Sequence, residues 1–524
     1  MTKITDWVSR GRLAALMLAI VLVVSACSSN SGGTNNGSQP SPGGTNTQDD
    51  EGAKQQAPAS QGTVELIAYF PGDTPQDFDR VLGEVNKKLE ADGIGAKLNI
   101  SFIPWDDYGQ VTQLRATAGE KFDMFLEAQW LHIEPMIADK AIIPLDEYVA
   151  NSPNLLASIP ELMWEQNKFH DRIYGIPLGT TQGNWRGFTI RKDLREKHGF
   201  PEITTVEQLE AFLYLMKEKE PALIPFGIDG RYANDLPAMF DPLNYSGEYH
   251  NYEHLGSQVS LDVKNNRVLS NFEIGFLQGA MERIFRYVND GILDRNLLQE
   301  QNSVELFNNG QFAATIYEAT GVEGLKYLPL MEKVEGAELE FILLEAEGVK
   351  PISRFEQWNF LSVPASSDHP EKVIEVMDWL SIQENHDLLE YGIEGVHWEA
   401  VGEDAYQVIK GTSYEFPGYV MTWRPDLVRM PSHMHPDDKK YFEMARHADT
   451  FQRAVSSGFT PDLTSLNTEI AQLNSVLTTL NQPLSVGLLD PKKYYSQLVE
   501  QVNAAGMDRI VEEIRQQYEA FTQK

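Results

Sequence analysis

Residues 64–103 read VELIAYFPGDTPQDFDRVLGEVNKKLEADGIGAKLNISFI, and this stretch decides the fold. Val64–Tyr69 is a short run rich in β-formers, and Pro71-Gly72-Asp73 turns the chain. Thr74-Pro75 then reads as a helix cap followed by proline at the first helical position. Phe78, Val81, Leu82, Val85 and Leu89 recur at the 3.6-residue period of one helix face. Lys97–Ile103 (KLNISFI) predicts a second strand and Phe122–Glu127 (FDMFLE) a third. Strand, helix, strand at this spacing predicts parallel βαβ units and an α/β fold class.

The pattern continues downstream. Thr205 and Gln208 form a capping box ahead of Leu209, Phe212, Leu213 and Met216. Ile274–Val288 reads as a helix, and Phe312–Tyr317, Leu339–Leu344 and Trp358–Val363 as strands. A helix is expected from Pro370 to Ile382. Asp490-Pro491 opens a terminal helical stretch whose buried side is Leu498, Val502, Ile510, Ile514 and Tyr518. Asp262 and Glu273 have the end-to-end spacing of a calcium loop, but Lys264 and Arg267 occupy positions that need an oxygen ligand and a glycine. Asn265-Asn266 is better read as a hairpin turn. For 524 residues, two lobes are expected rather than one.

Upstream, the sequence speaks of location. Lys3, Arg10 and Arg12 precede an apolar run, Leu13–Val24, that is short for a spanning helix and fits a signal-peptide core. It ends in Val24-Ser25-Ala26-Cys27, which resembles a bacterial lipobox. Cys27 is the single cysteine of the chain, so no internal disulfide can form, and it is the expected lipidation site. Ser28–Gln61 is dominated by Ser, Gly, Asn, Thr, Gln, Pro and Asp, a composition that cannot bury enough surface to offset its conformational entropy. The expected order is signal peptide 1–26, lipid-anchored tether 27–61, then the folded part.

Net charge is −33, and removing residues 1–26, with three bases and one acid, leaves −35. Such a surface repels nucleic acid and anionic headgroups, so neither is an expected partner beyond the lipid anchor itself. No phosphate loop, HExxH zinc motif or GxSxG elbow is present. His433-Met434-His435 offers two imidazoles without further ligands and reads as a loop.

Several separated phrases carry a family resemblance. They are Phe122-Asp123-Met124-Phe125 with Gln129-Trp130, Ile142-Ile143-Pro144-Leu145-Asp146, Ile173-Tyr174-Gly175-Ile176-Pro177, and Arg191-Lys192-Asp193-Leu194. Asn309-Gly310-Gln311-Phe312-Ala313, Pro370-Glu371-Lys372 with Trp379-Leu380-Ser381, and Tyr391-Gly392-Ile393-Glu394-Gly395-Val396-His397-Trp398 follow in order. In this order and spacing the chain resembles the extracellular solute-binding proteins, the substrate receptors of ABC-type sugar importers. It is similar in particular to a large Gram-positive, Paenibacillus-like lipoprotein branch with its own C-terminal module. Thr315-Ile316-Tyr317-Glu318 departs from the family pattern, where a glycine or tryptophan is common.

The resemblance implies a two-lobe binding-protein fold with a hinge, an interlobe cleft and extra C-terminal helices. Lobe 1 would comprise 62–182 plus 356–430, and lobe 2 would comprise 183–355 plus 431–524. The chain would cross near Pro177–Gly187 and Pro351–Trp358. The implied function is capture of an oligosaccharide or related glycan fragment for delivery to membrane permease subunits, with no cofactor, no metal and no catalysis. A hinged, tethered receptor is most simply a monomer. The alternative is a surface glycan-degrading enzyme using paired carboxylates, for which 75 acids after residue 26 leave room.

Sugars are gripped by aromatic faces against C–H surfaces and by carboxylates or amides against hydroxyls. Candidate ligand contacts at strand ends and loops are Phe70, Asp73, Gln129, Trp130, Trp185, Arg186, Tyr317, Glu318, Trp358, Glu394 and Trp398. Asp73 also reads as a helix-start charge, and Glu394 as a turn residue before Gly395.

Overall fold

The computed structural model describes residues 62–183, 186–247, 251–296, 302–318, 323–344 and 348–523. The signal peptide, Cys27, the tether and Trp185 lie outside them. Everything below concerns the unit Gln61–Lys524. Among the described residues no helix is long and apolar enough to cross a membrane.

The opening stretch folds as its pattern predicts. Strand β1 (Val64–Pro71) leads to helix α1 (Phe78–Ala91) and strand β2 (Ala96–Ile103), which pairs with β1 in parallel. Phe78, Val81, Val85 and Leu89 of α1 are buried in the core beneath the sheet, each contributing roughly 1.5–3 kcal/mol. The helix begins later than its proline suggests. Asp77 adopts a left-handed φ of 60° and its carboxylate accepts from His397 Nε2 at 2.9 Å. Phe78 N donates to Pro75 O at 3.3 Å, so Pro75–Phe78 form a turn and α1 starts at Phe78.

Helix α2 (Trp105–Thr117), strand β3 (Met124–Ala128) and helix α3 (Ile133–Ala138) follow. The aspartate preceding β3 is structural, because Asp123 accepts from Ile67 N at 2.8 Å and Ser367 Oγ at 2.7 Å. Leu145 N donates to Ile173 O at 2.6 Å and Arg172 Nε to Asp146 at 3.2 Å, which welds two of the separated phrases together.

Strand β4 (Ile176–Leu178) ends the first half, and β5 (Arg186–Arg191) begins the second. Next come β6 (Ile224–Phe226) and the meander β7 (Tyr252–Gly256), β8 (Val259–Asp262) and β9 (Arg267–Ser270). Asn266 turns the last hairpin at φ 49°, and Asp262 accepts from Asn265 N at 3.0 Å. The helix expected from Ile274 begins at Leu277, because Ser270 and Glu273 cap a separate 3-10 turn first. Strands β10 (Phe312–Glu318), β11 (Leu339–Ile342), β12 (Ile352–Ser353) and β13 (Asn359–Ser362) complete the two main sheets, apart from β12, which pairs with Gln452–Arg453.

The first sheet has the order β2-β1-β3-β13-β4 and the second β11-β5-β10-β6. Each carries its own apolar core: one built around Leu66, Val81, Leu126 and Val373, the other around Phe188, Phe212, Phe226 and Ile316. The terminal helices Pro491–Ala504 and Met507–Thr522 bury Leu498, Val502, Ile510, Ile514 and Tyr518 in a third core shared with β8 and the helix Leu277–Asn289. Asp490 caps the first of them by accepting from Lys492 N at 3.1 Å.

Candidate ligand-binding cleft

Topology alone places the cleft. Strands β1 to β4 bring their C-terminal ends to one edge of the first sheet, and β13 starts there because it runs antiparallel to β3 and β4. In the second sheet β5 starts, and β6, β10 and β11 end, at one edge. The chain passes from Leu178 to Arg186 and returns from Ile342 to Asn359. Both passages join the same two edges, so these edges border the hinge. Ligands of open α/β sheets bind outside the C-terminal strand ends.

The passages touch closely. Asn167 Nδ2 donates to Phe355 O at 3.0 Å, and Gln357 N donates to Asn167 Oδ1 at 2.6 Å. A Cβ on Gly179 would sit 1.9 Å from Gln357 Oε1, so this crossing tolerates only glycine without rearrangement. Gln182 N donates to Ala445 O at 3.0 Å, which brings the helix Pro436–Arg446 to the hinge as well.

The first edge is aromatic. Trp105, Trp130 and Trp358 are 45%, 50% and 58% exposed, and among the described residues every exposed tryptophan lies at this edge. Trp105 follows β2, Trp130 follows β3, and Trp358 precedes β13 beside Gln129, given the pairing of Ala128 with Asn359. The Trp105 ring lies 5.9 Å from Trp130 and stacks on Tyr419 at 6.0 Å and 21°. Tyr419 in turn meets Trp423 edge-on at 5.8 Å. Gly72, at φ 107°, runs past Trp105 Nε1 and the Tyr419 hydroxyl. A side chain is disfavoured there by conformation.

Behind Tyr419 lies a buried polar cluster. Glu390 accepts from the Thr422 hydroxyl, and burial pushes its carboxyl up to about 7. Arg424 Nη1 donates to the carbonyls of Met421 and Trp423 at 3.2 Å, and burial brings its guanidinium down to about 10. Arg429 Nε donates to Asp387 at 2.9 Å. Gly418 is wedged between Glu390 and Trp423, with its virtual Cβ 2.4 Å from an atom of each.

The second edge is charged. Arg186 Nε donates to Glu318 at 2.9 Å, and its Nη1 also bonds Asp235. The two carboxylates raise the guanidinium's affinity for its proton against the opposing effect of burial. One arginine shared by two acids leaves a net negative, hydrogen-bonding surface.

The eleven candidate residues thus divide. Gln129, Trp130 and Trp358 meet at the first edge, with Asp73 exposed just beyond β1. Arg186 and Glu318 meet at the second. Phe70 is fully buried in the first core, since its position on β1 points it beneath the sheet. Tyr317 is fully buried too, its hydroxyl donating to Asp438 at 2.6 Å and its ring 4.8 Å from Phe341. Trp398 is buried, with Nε1 donating to Gly392 O at 2.9 Å, and it fastens its own loop; Glu394 is exposed in that loop. Phe70, Tyr317 and Trp398 are thus packed into the fold around the cleft, whereas Glu394 faces solvent. Trp105, Tyr419 and Trp423 join the same aromatic edge without being among the sequence candidates. Trp105 obeys the same strand-end logic that selects Trp130, whereas Tyr419 and Trp423 arrive from a distant turn without a local signal.

Comparison with known proteins agrees with this architecture. A carbohydrate ABC transporter substrate-binding protein of Streptococcus pneumoniae is 21% identical over 489 residues, covering 88% of this chain and 92% of that protein. The crystal structure of the N-glycan transport solute-binding protein NgtS from S. pneumoniae superposes with a TM-score of 0.74 at 18% identity, covering 88% of this chain and 99% of that one. An HMO-binding, ABC-transporter-associated solute-binding protein of Bifidobacterium longum infantis gives 0.62 at 15% identity, with 88% and 100% covered. These likenesses show the two-lobe fold. Residues 455–523, the region of the terminal helices, match a domain family of unknown function, DUF3502. Residues 72–385 match the family of bacterial extracellular solute-binding proteins, and the chain belongs to it.

Proposed function

We propose that this chain is the substrate-binding receptor of an ABC importer, capturing an oligosaccharide or related glycan fragment in its hinged cleft and delivering it to the membrane permease. The observation that carries this reading is the grouping of Trp105, Trp130 and Trp358 at the edge that borders the hinge. Exposed indole faces are costly in water and suit the C–H faces of sugar rings. Across the hinge, Arg186, Glu318 and Asp235 supply donors and acceptors for hydroxyls. A structure of NgtS in complex with Man1GlcNAc shares the fold at a TM-score of 0.68, which supports a glycan ligand.

The proposed contacts are Asp73, Gln129, Trp130, Trp358, Arg186 and Glu318, with Trp185 at the first crossing, together with Trp105 and Tyr419. We assign residues 62–182 and 356–430 to lobe 1, and 183–355 and 431–524 to lobe 2. Cys27 carries the lipid anchor that holds the receptor at the outer face of the membrane, and the tether 27–61 gives it reach. The receptor works as a monomer and changes no bond in its cargo.

Thermal shift against a panel of glycan fragments tests the reading. A cognate fragment raises Tm, because ligand linkage stabilises the folded chain by about 2.7 kcal/mol at a hundredfold excess over Kd. No shift with any carbohydrate, alongside a shift with a peptide, overturns it. A reducing-end assay in the same wells separates capture from hydrolysis, since sustained turnover would identify an enzyme.

A further inference from the structure

We propose that Glu127 is a positioning residue for the aromatic edge: its carboxylate fixes the turn that carries Trp130, and protonating it slackens that turn and weakens ligand capture. The inference rests on the reading of Trp130 as a ligand platform.

Glu127 is the fourth residue of β3 and fully buried, an unusual place for a carboxyl in a strand of a sheet interior. It lies opposite Phe360 of β13 and on the same face as Phe125, within the apolar cluster of Phe122, Phe125, Ile133 and Met136. Its Oε2 accepts from His132 N at 3.0 Å and Ala128 N at 3.3 Å. Those two amides bracket the turn Gln129–Leu131, so one oxygen closes the loop from which Trp130 projects. Its Oε1 is buried with no hydrogen-bond partner. A buried carboxyl with one idle oxygen is costly, and the geometry assigns that cost to holding the turn.

The surroundings leave its charge uncompensated. Tyr108 of α2 spends its hydroxyl on Leu126 O, and Tyr69 of β1 lies beneath the Arg115 guanidinium at 4.3 Å. Tyr174 lies ahead of β4, and His132 and Glu134 stand at the start of α3. None of these side chains is hydrogen-bonded or ion-paired to Glu127 among the described residues. Burial accordingly pushes its carboxyl up to about 7. The ionised form accepts the two amide bonds more strongly than the neutral acid.

Ionising Glu127 acts in opposite directions on binding and on folding. The turn tightens as pH rises through 7, so affinity rises. The folded-state pKa is raised above the unfolded value, so the stability contributed by this group is fully present below about 4.5 and is lost as pH rises through about 7. A side chain that only packed the core would move stability alone.

The test uses the full chain labelled with 5-fluorotryptophan, the Trp130 resonance being identified with Trp130→Phe. The Trp130 signal should titrate with a midpoint near pH 7 without ligand and become flat in Glu127→Gln, which keeps an acceptor but cannot ionise. Affinity for Man5GlcNAc, or for the fragment giving the largest thermal shift, should be about fivefold weaker at pH 6 than at pH 8 and pH-independent in Glu127→Gln. Glu127→Ala removes the acceptor and should weaken binding at every pH; if it does not fold, the Gln variant decides. A Trp130 signal that does not titrate, or titrates unchanged in Glu127→Gln, overturns the proposal. If no glycan binds at all, the proposed function fails, and the ligand-free resonance still decides the role of Glu127.

Discussion

The two edges that border the hinge are built from opposite chemistry. One presents Trp105, Trp130 and Trp358, with Tyr419 stacked on Trp105; the other presents Arg186 clamped between Glu318 and Asp235. Apolar faces gain from contact with a sugar in any approximate orientation, because burying area needs no alignment. Charged donors and acceptors gain little while water competes for them, and much more once water is expelled. The difference teaches an order of events. On the proposed contacts, lobe 1 would capture while the cleft is open, and lobe 2 would read the hydroxyl pattern as it closes.

Breaking the first edge should have the largest effect. Trp105→Ala with Trp130→Ala should weaken glycan binding by at least about a hundredfold, from the ~2 kcal/mol or more typical of each buried aromatic anchor. Because both indoles are about half exposed, Tm without ligand should barely move; calorimetry of folding and of binding checks both halves. A parallel fall in Tm would mean that the rings support the fold instead. Next, Arg186→Ala should weaken binding about tenfold and act mainly on the dissociation rate, because it leaves Glu318 and Asp235 facing each other. Surface plasmon resonance would contradict the proposed order if association slowed instead. Gly418→Ala should cost about fivefold in affinity and ~1–2 kcal/mol in stability, since its methyl collides with Glu390 and Trp423 and displaces Tyr419. An unchanged affinity would remove Tyr419 from the platform.

The smallest effect on binding comes from a group that acts on stability through pH. Glu390, held near 7 by burial, contributes stability that is present at pH 4.5 and lost as pH rises through 7. Glu390→Gln should therefore flatten the decline in unfolding free energy between pH 5 and 8, by up to about 3 kcal/mol. Denaturant melts across that range provide the measurement, and an unaltered slope would assign the decline to other groups.

Much of the fold was legible because its signals are local. The face of α1, the Thr205–Gln208 capping box and the Asn265-Asn266 hairpin all lie within a few residues of what they determine. What the local pattern does not carry is set by residues distant in the chain. Asp77 leaves the helix because His397, 320 residues away, claims its carboxylate. Phe70 and Tyr317 stand at strand ends, yet the core claims them. The site was half legible for the same reason: a tryptophan after a strand announces itself, but Tyr419 joins Trp105 only through tertiary packing.

The place of β13 governs how the molecule can come into being. It lies between β3 and β4 and, among the described residues, is the only partner of β4 in the first sheet, yet it begins at residue 359, far along the chain from residue 178. Until that strand emerges, β4 has no neighbour in its sheet, while all four strands of the second sheet already exist. Assembly is therefore inverted relative to synthesis: the later-numbered lobe can complete its sheet first, and the earlier one waits for it. A chain truncated at residue 350 should protect the amides of β5 and β10 from hydrogen exchange while leaving β4 open. Protection of β4 in that fragment would refute the inversion. If the proposed export is led by the amino terminus, this delay would keep the leading half pliable during passage.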